Sequence, residues 1–164
     1  MTVAQKIRVL LVDDHVMVRQ GLRAVLQSYP NIEVVGEAGN GEEAIFNAAK
    51  LQPTIIVMDL AMPNLDGIGA TRLIKTHYPQ MAVLGLSVNA QSYQVDAMLK
   101  AGAFEVLTKD KAVDELYSAI QRAIAAVQPI LILQEQPSAS AESAPGAESK
   151  EKAVDVIPTK ELEN

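Results

Sequence analysis

Hydrophobic residues along the chain follow two alternating patterns. Short apolar runs, at residues 7–12, 32–35, 54–58, 81–86 and 104–108, are typical of strands, and those without polar interruptions indicate strands buried on both faces of a parallel sheet. After each run, apolar residues recur at a spacing of three to four, which indicates amphipathic helices. Turn-forming residues such as Pro30, Gly41 and Pro79 separate these segments. Five strand-then-helix units are therefore predicted.

This alternation predicts an α/β fold with an open, doubly wound, five-stranded parallel sheet and five helices on its two faces, because right-handed crossovers leave few other arrangements. We expect the flavodoxin-like strand order 2-1-3-4-5. The third helix is predicted at 64–78 and the fourth at 90–101, with Gly102 as C-terminal cap. An apolar stripe is predicted on the fifth helix, which should end at Pro129. Its members are Val113, Leu116, Ile120, Ile124 and Val127.

The composition changes near residue 129. Residues 1–128 are expected to form one domain, and residues 129–164 a disordered, acidic tail rich in Ser, Ala, Pro and Glu, since such a segment cannot bury enough apolar surface to offset its ordering entropy. The apolar run 130–133 is an exception. It could pack on the domain, add a strand or act as a linker.

The overall composition excludes several functional classes. The 164 residues contain no Cys, which excludes disulfides, thiolate catalysis and Cys-based metal sites. No signal-peptide core and no apolar run of about 20 residues is present, so a cytoplasmic protein without membrane contact is expected. The net charge of −6 and the 4% aromatic content argue against direct binding of nucleic acid.

Polar residues stand at the ends of four predicted strands. Asp13 and Asp14 follow the first strand, Asp59 the third, Ser87 the fourth and Lys109 the fifth. In the expected topology these strand ends adjoin one another, so the five side chains should share one pocket. The second strand lies at the sheet edge and is expected to contribute nothing polar.

Three converging carboxylates would repel one another unless they were protonated or bridged, and a hard divalent cation is the usual remedy, which predicts Mg²⁺. The hydroxyl and the ammonium group add donors for an anion, so the constellation suits phosphoryl transfer onto a carboxylate, with Asp59 at its centre. Taken singly, each residue has a structural alternative: Asp13 or Asp14 as a helix cap, Ser87 as a turn hydroxyl and Lys109 as a loop lysine.

Three further features are interpreted structurally. His15 is read as a surface residue of the first helical turn rather than a metal ligand, and His77 as a helix-end residue that interacts with the helix dipole. The segment 39–44 fits the dinucleotide pattern G-x-G-x-x-A, but it follows the edge strand and carries Glu42 and Glu43, so its glycines are read as a turn.

At these residues the sequence resembles the receiver domain of bacterial two-component response regulators, of the NarL/FixJ type, over roughly residues 6–128. The resemblance rests on motifs in the family's order and spacing. They are Asp13-Asp14-His15, Asp59-x-x-Met62-Pro63-x-x-Asp66-Gly67, Ser87, Ala101-Gly102-Ala103 and Lys109.

This resemblance implies a CheY-like form of the predicted fold, with Asp59 as phosphoacceptor. It implies that Asp14, Asp59 and the Ala61 carbonyl bind Mg²⁺ directly, that Asp13 acts through water, and that Ser87 and Lys109 contact the phosphoryl oxygens. A sensor histidine kinase and an output protein are the implied partners, and a weak homodimer is left open. Beyond its own phosphorylation and dephosphorylation, the module is not expected to be an enzyme.

The sequence departs from the family in two places. Val106 stands where the subfamily has an aromatic residue, and Glu105 replaces a glycine. Members of this subfamily usually continue into a helix-turn-helix output domain, and residues 129–164 are expected to be too short and too polar to form one. The alternatives are therefore a truncated transcriptional regulator and a degenerate receiver that acts as an interaction scaffold. A phosphohydrolase of the haloacid-dehalogenase type would need Asp-x-Asp after the first strand, where this chain has Asp13-Asp14-His15.

Overall fold

Five strands and five helices alternate along the chain in the computed structural model, which describes residues 4–89 and 91–135. The strands are β1 (Ile7–Val12), β2 (Ile32–Ala38), β3 (Ile55–Asp59), β4 (Ala82–Ser87) and β5 (Glu105–Thr108). The helices are α1 (Val16–Gln27), α2 (Gly41–Leu51), α3 (Gly67–His77), α4 (Ser92–Ala101) and α5 (Lys109–Glu135).

The five strands form one parallel sheet in the order β2-β1-β3-β4-β5, which confirms the predicted fold class and strand order. At the carboxyl edge Asp59 pairs with Leu86, and Ser87 pairs with Thr108. β2 is longer than predicted because its pairing with β1 continues to Ala38. The register thus brings the strand ends into line where functional side chains were expected.

Both faces of the sheet are buried, because consecutive strand residues point to opposite sides. On one face Val9 and Leu11 pack with apolar residues of α1 and α5. On the other, Leu10 and Val12 pack with residues of α2, α3 and α4. The continuous apolar strands are therefore explained by helices on both sides.

The helix α3 begins three residues later than predicted. Asn64 has a positive φ of 68°, a left-handed conformation that excludes it from the helix. The helix instead begins at Gly67, and the side chain of the preceding residue, Asp66, caps it by accepting a hydrogen bond from the Gly69 N–H at 2.7 Å. The left-handed Gly102 follows α4, as expected.

The prediction that Pro129 ends the last helix was wrong, because α5 continues to Glu135. Proline removes one backbone hydrogen bond, but it marks a helix end only as a tendency. Residues 130–133 therefore belong to this helix and form neither an added strand nor a linker. The helix crosses the expected domain boundary at residue 128, and the prediction of disorder from residue 136 onwards lies outside the described residues. No described helix is long and apolar enough to cross a membrane.

Two side chains near the fifth strand were placed wrongly by pattern. Val113 is 60% exposed because Ala112 and Leu116 form the buried stripe of α5. Phe104, predicted as the first residue of the fifth strand, precedes β5 and is 41% exposed. Val106 lies inside β5 and is half-buried against the apolar cluster on the side of the sheet that α2, α3 and α4 cover.

Candidate functional site

The carboxyl edge of the sheet brings together the side chains that the sequence singled out. Asp13, Asp59 and Ser87 are buried there, with 0%, 2% and 6% exposure, and the Lys109 ammonium reaches the two acids from the first residue of α5. Asp14 is more open to solvent, with 28% side-chain exposure. The predicted side chains thus lie at one edge of the sheet, and Lys109 is within contact distance of Asp13 and Asp59.

Asp13 uses both of its carboxylate oxygens. Its Oδ2 accepts a hydrogen bond from Lys109 Nζ at 2.5 Å, and its Oδ1 accepts one from the His15 backbone N–H at 2.8 Å. Such charge-assisted bonds offset much of the cost of burying a carboxylate. Asp13 is therefore held in place from two sides.

Asp59 is far less well satisfied. Its Oδ1 accepts only a long hydrogen bond of 3.3 Å from the Ala61 N–H, and its Oδ2 is buried without a hydrogen-bond partner. Lys109 Nζ lies 3.4 Å from that oxygen. Burial, followed by the charge of Asp13, raises the pKa of Asp59 to about 6, while Lys109 opposes the rise. Asp59 is thus the electrostatically strained member of the pocket.

Lys109 remains protonated at neutral pH. Burial alone would lower its pKa, but the hydrogen bond from Lys109 to Asp13 and the charges of both carboxylates raise the pKa overall. A fixed positive charge therefore faces Asp13 and Asp59.

Ser87 faces the same pocket but is engaged elsewhere. Its hydroxyl donates to the Asn89 carbonyl at 3.0 Å, in the loop that follows β4. The pocket is an open cavity of about 240 Å³. Its lining comprises His15, Asp59, Ala61, Ser87, Val88, Asn89, Gln91, Gln94 and Lys109. A larger cavity of about 290 Å³, outlined by residues such as Lys6 and Val127, has no carboxylate in its lining. The smaller cavity is the one that Asp59 lines, next to His15 and Lys109.

The acidic cluster could hold a metal ion. Asp13, Asp14, His15 and Asp59 each offer one ligand atom, and these atoms lie within 4.8 Å of one another. The unpartnered Asp59 Oδ2 is the kind of buried oxygen that a cation satisfies. The donor set therefore fits a divalent cation, and Ala61 lines the same cavity as two of its members, His15 and Asp59.

His15 lies closer to this cluster than the sequence suggested. Its side chain is 66% exposed, in agreement with a surface position, and it makes no side-chain cap bond to α1. Its Nδ1, however, lies 3.2 Å from Asp13 Oδ1 and 3.0 Å from Asp14 Oδ1. The adjacency of the three residues in sequence was the available signal.

A second charged network was missed, and with it a polar residue on the edge strand. Glu37 of β2 accepts hydrogen bonds from Arg19 Nε at 2.9 Å and from Arg23 Nε at 2.7 Å, and the bond from Arg19 is the main reason that its pKa is lowered. Arg19 Nη1 also donates to the Asp13 carbonyl. Glu37 of β2 does not line the pocket itself, so it reaches the site only through Arg19. The i, i+4 spacing of the arginines was the only signal for this network.

Two glycines fix the loops around the site. A Cβ on Gly67 would lie 1.9 Å from the Asp59 carbonyl oxygen, so α3 begins directly against the end of β3. A Cβ on Gly41 would lie 2.4 Å from the Leu65 carbonyl oxygen. Gly41 thus packs against the loop after β3, and Asn40 caps α2. These contacts agree with the interpretation of residues 39–41 as a turn.

Comparisons with known proteins agree on one family. The family described as "Response regulator receiver domain" matches residues 9–121. The transcriptional regulatory protein LiaR of Bacillus subtilis (strain 168) is 42% identical over 117 residues, which are 71% of this chain and 56% of that protein. The response regulator protein VraR of Staphylococcus aureus (strain COL) is 40% identical over 116 residues, with the same coverage of both chains.

A solved structure agrees with these relatives. The crystal structure of a two-component response regulator of the LuxR family from Aurantimonas sp. SI85-9A1 is 31% identical, with a TM-score of 0.71, and covers 80% of this chain and 100% of that chain. The chain spans about half the length of the curated relatives it matches.

Proposed function

The chain belongs to the response regulator receiver domain family, and from this membership we propose that it accepts a phosphoryl group on Asp59 within a two-component signalling relay. The proposed donor is the phosphohistidine of a sensor histidine kinase. The proposed readout is contact with an output protein, without direct binding of nucleic acid by this chain. No turnover of a free substrate is proposed beyond the module's own phosphorylation and dephosphorylation.

One observation carries the choice of Asp59 over its neighbours. Its Oδ2 is buried and lacks a hydrogen-bond partner, and Asp59 lines the cavity, whereas both oxygens of Asp13 are engaged. In the proposed step an Asp59 oxygen attacks the phosphorus, a P–O bond forms, and the P–N bond to the donor imidazole breaks. The departing imidazole nitrogen then takes up a proton.

Mg²⁺ is the proposed cofactor. By family resemblance, Asp14, Asp59 and the Ala61 carbonyl would hold it directly and Asp13 through water, and the cluster of oxygen ligands and the unpartnered Asp59 oxygen support that assignment. When bound, Mg²⁺ supplies positive charge that offsets the charge of the acids and of the transferred phosphoryl group.

Lys109 and Ser87 are proposed to contact the phosphoryl oxygens. The Lys109 ammonium already lies 3.4 Å from the reacting carboxylate, so it can neutralise charge without a large movement. Ser87 must first release the Asn89 carbonyl. Phosphorylation is therefore proposed to rearrange the loop after β4.

The second candidate is that this chain forms part of a longer transcriptional regulator. It is favoured by the names and lengths of the relatives: LiaR is a transcriptional regulatory protein, and the match covers 56% of it. The scaffold alternative rests on Val106 alone. The cytoplasmic location expected from the composition stays a prediction.

The test is the intact mass of the chain after incubation with acetyl phosphate and Mg²⁺. One added phosphoryl group is expected for the wild type, and none for Asp59→Asn or for the wild type in EDTA. Asp66→Asn is the matched control, since Asp66 is an exposed helix cap in the following loop, and it should label like the wild type. Equal labelling of Asp59→Asn would refute the assignment, and metal-independent labelling would refute the role of Mg²⁺.

A further inference from the structure

A nitrogen atom lies next to the carboxylates of the site, and no role of the acids in phosphoryl transfer uses it. We propose that His15 Nδ1 joins the oxygens of Asp13, Asp14 and Asp59 in a mixed nitrogen and oxygen site that binds a first-row transition cation, with Zn²⁺ as the probe, more tightly than Mg²⁺. This inference rests on the acidic site of the proposed function, but it concerns a different ligand atom and a different class of metal.

The geometry matches shared coordination. Zn²⁺ binds imidazole nitrogen and carboxylate oxygen at about 2.0 to 2.2 Å, which places neighbouring ligand atoms about 2.8 to 3.6 Å apart in octahedral or tetrahedral arrangements. His15 Nδ1 lies 3.0 Å from Asp14 Oδ1 and 3.2 Å from Asp13 Oδ1. Both separations fall in that range. The imidazole is therefore close to the position that a ligand would occupy.

The buried side of the cluster provides independent support. Asp59 Oδ2 is buried and has no hydrogen-bond partner, and Asp13 directs its Oδ1 towards His15 while Lys109 holds the other oxygen. The other side is open, since the side chains of His15 and Asp14 are 66% and 28% exposed. The site thus combines an unsatisfied inner oxygen with an outer face through which an ion can enter.

The chemistry of the two cation classes makes the proposal specific. Imidazole suits Zn²⁺, Cu²⁺ and Ni²⁺, whereas Mg²⁺ prefers oxygen ligands and retains several waters. A transition cation needs the lone pair of His15 Nδ1, so its binding releases to solvent any proton held there. His15 therefore discriminates between metals, while the acids bind both classes.

The experiment compares Zn²⁺ and Mg²⁺ affinities of the full chain, prepared without a polyhistidine tag, by isothermal titration calorimetry. His15→Gln should weaken Zn²⁺ binding by about tenfold or more and leave Mg²⁺ binding within about twofold. His77→Gln is the matched control, because the chain has two histidines and His77 Nδ1 is paired with the Leu73 carbonyl on the exposed side of α3. That variant should change neither affinity.

The Co²⁺ form gives a second readout, since loss of a nitrogen ligand changes its visible absorption bands. Unchanged Zn²⁺ affinity in His15→Gln, or an equal loss of Zn²⁺ and Mg²⁺ affinity, would overturn the proposal. Asp59→Asn separates the two proposals. If it lowers both affinities while His15→Gln spares Zn²⁺, only this inference fails. If it lowers neither, the metal site of the proposed function fails, and this inference fails with it.

Discussion

Replacing Asp59 by Asn should stabilise the metal-free protein at neutral pH. Asp59 is 2% exposed, its buried Oδ2 has no hydrogen-bond partner, and its pKa is raised to about 6 from 3.8 by burial and by the charge of Asp13. A raised carboxyl pKa means that the folded state binds the proton more tightly than the unfolded state. Ionised Asp59 therefore destabilises the fold, and a neutral amide of similar shape removes this penalty.

The size of the effect follows from the two pKa values. A rise of about 2 units, at about 1.4 kcal/mol per unit, gives a penalty of about 3 kcal/mol once Asp59 is fully ionised. The penalty is complete above the folded pKa of about 6 and disappears as the pH falls below the unfolded value of 3.8. Asp59→Asn should thus gain about 3 kcal/mol near pH 7.5 but only about 1 kcal/mol near pH 4.5.

Urea unfolding in EDTA, followed by circular dichroism at the two pH values, measures this difference. Asp66→Asn is the control: Asp and Asn cap helices about equally well, so this variant should change stability by less than about 0.5 kcal/mol. A loss of stability in Asp59→Asn, or a gain of the same size at both pH values, would show that the charge of Asp59 does not strain the fold.

Three further predictions concern glycine substitutions, truncation of the C-terminal helix and the response to a phosphoryl mimic. Gly67→Ala should cost about 3 kcal/mol or more, because its Cβ would meet the Asp59 carbonyl oxygen at 1.9 Å, whereas Gly21→Ala, which meets nothing within 4 Å, should stabilise α1 by about 0.5 to 1 kcal/mol in urea unfolding. A chain ending near Gln134 should keep the Tm of the full chain in calorimetry, while one ending at Ala123 should lose stability with Ile124 and Val127, which pack on the core. With beryllofluoride as phosphoryl mimic, amide NMR shifts should cluster near Asp14, Asp59 and Ser87, because Val106 has no ring to relocate; large shifts across residues 104–113 would refute this.

The fold was predictable because hydrophobic periodicity reports directly on buried faces. The strand β1 is apolar and buried from Val9 to Val12 since helices cover both sides of the sheet, and this property is local in sequence. The wrong predictions fall at residues where the sequence pattern does not match the structure. Pro129 lies inside α5, and Val113 fits the apolar spacing but sits just outside the buried stripe. At such positions tertiary packing determines whether a helix continues and which side chain is buried, and a single sequence does not record that packing.

The membership of the site was predictable for a different reason. Residues that end neighbouring parallel strands must meet at one edge, so Asp13, Asp59 and Lys109 could be grouped from topology alone. Contacts made by residues away from this edge could not be predicted from topology. Glu37 reaches α1 only because β2 extends beyond its predicted end, and its partner Arg19 then holds the Asp13 carbonyl.

Which atom pairs with which was beyond prediction, and this choice determines the chemistry. Topology places Lys109 near two carboxylates without ranking them. In the structure its ammonium hydrogen-bonds to Asp13 at 2.5 Å and stays 3.4 Å from Asp59. Asp13 is thereby satisfied, whereas Asp59 keeps a buried oxygen without a hydrogen bond and a raised pKa. The same asymmetry that costs the fold stability leaves one carboxylate free to react, so stability and reactivity at this site should change in opposite directions.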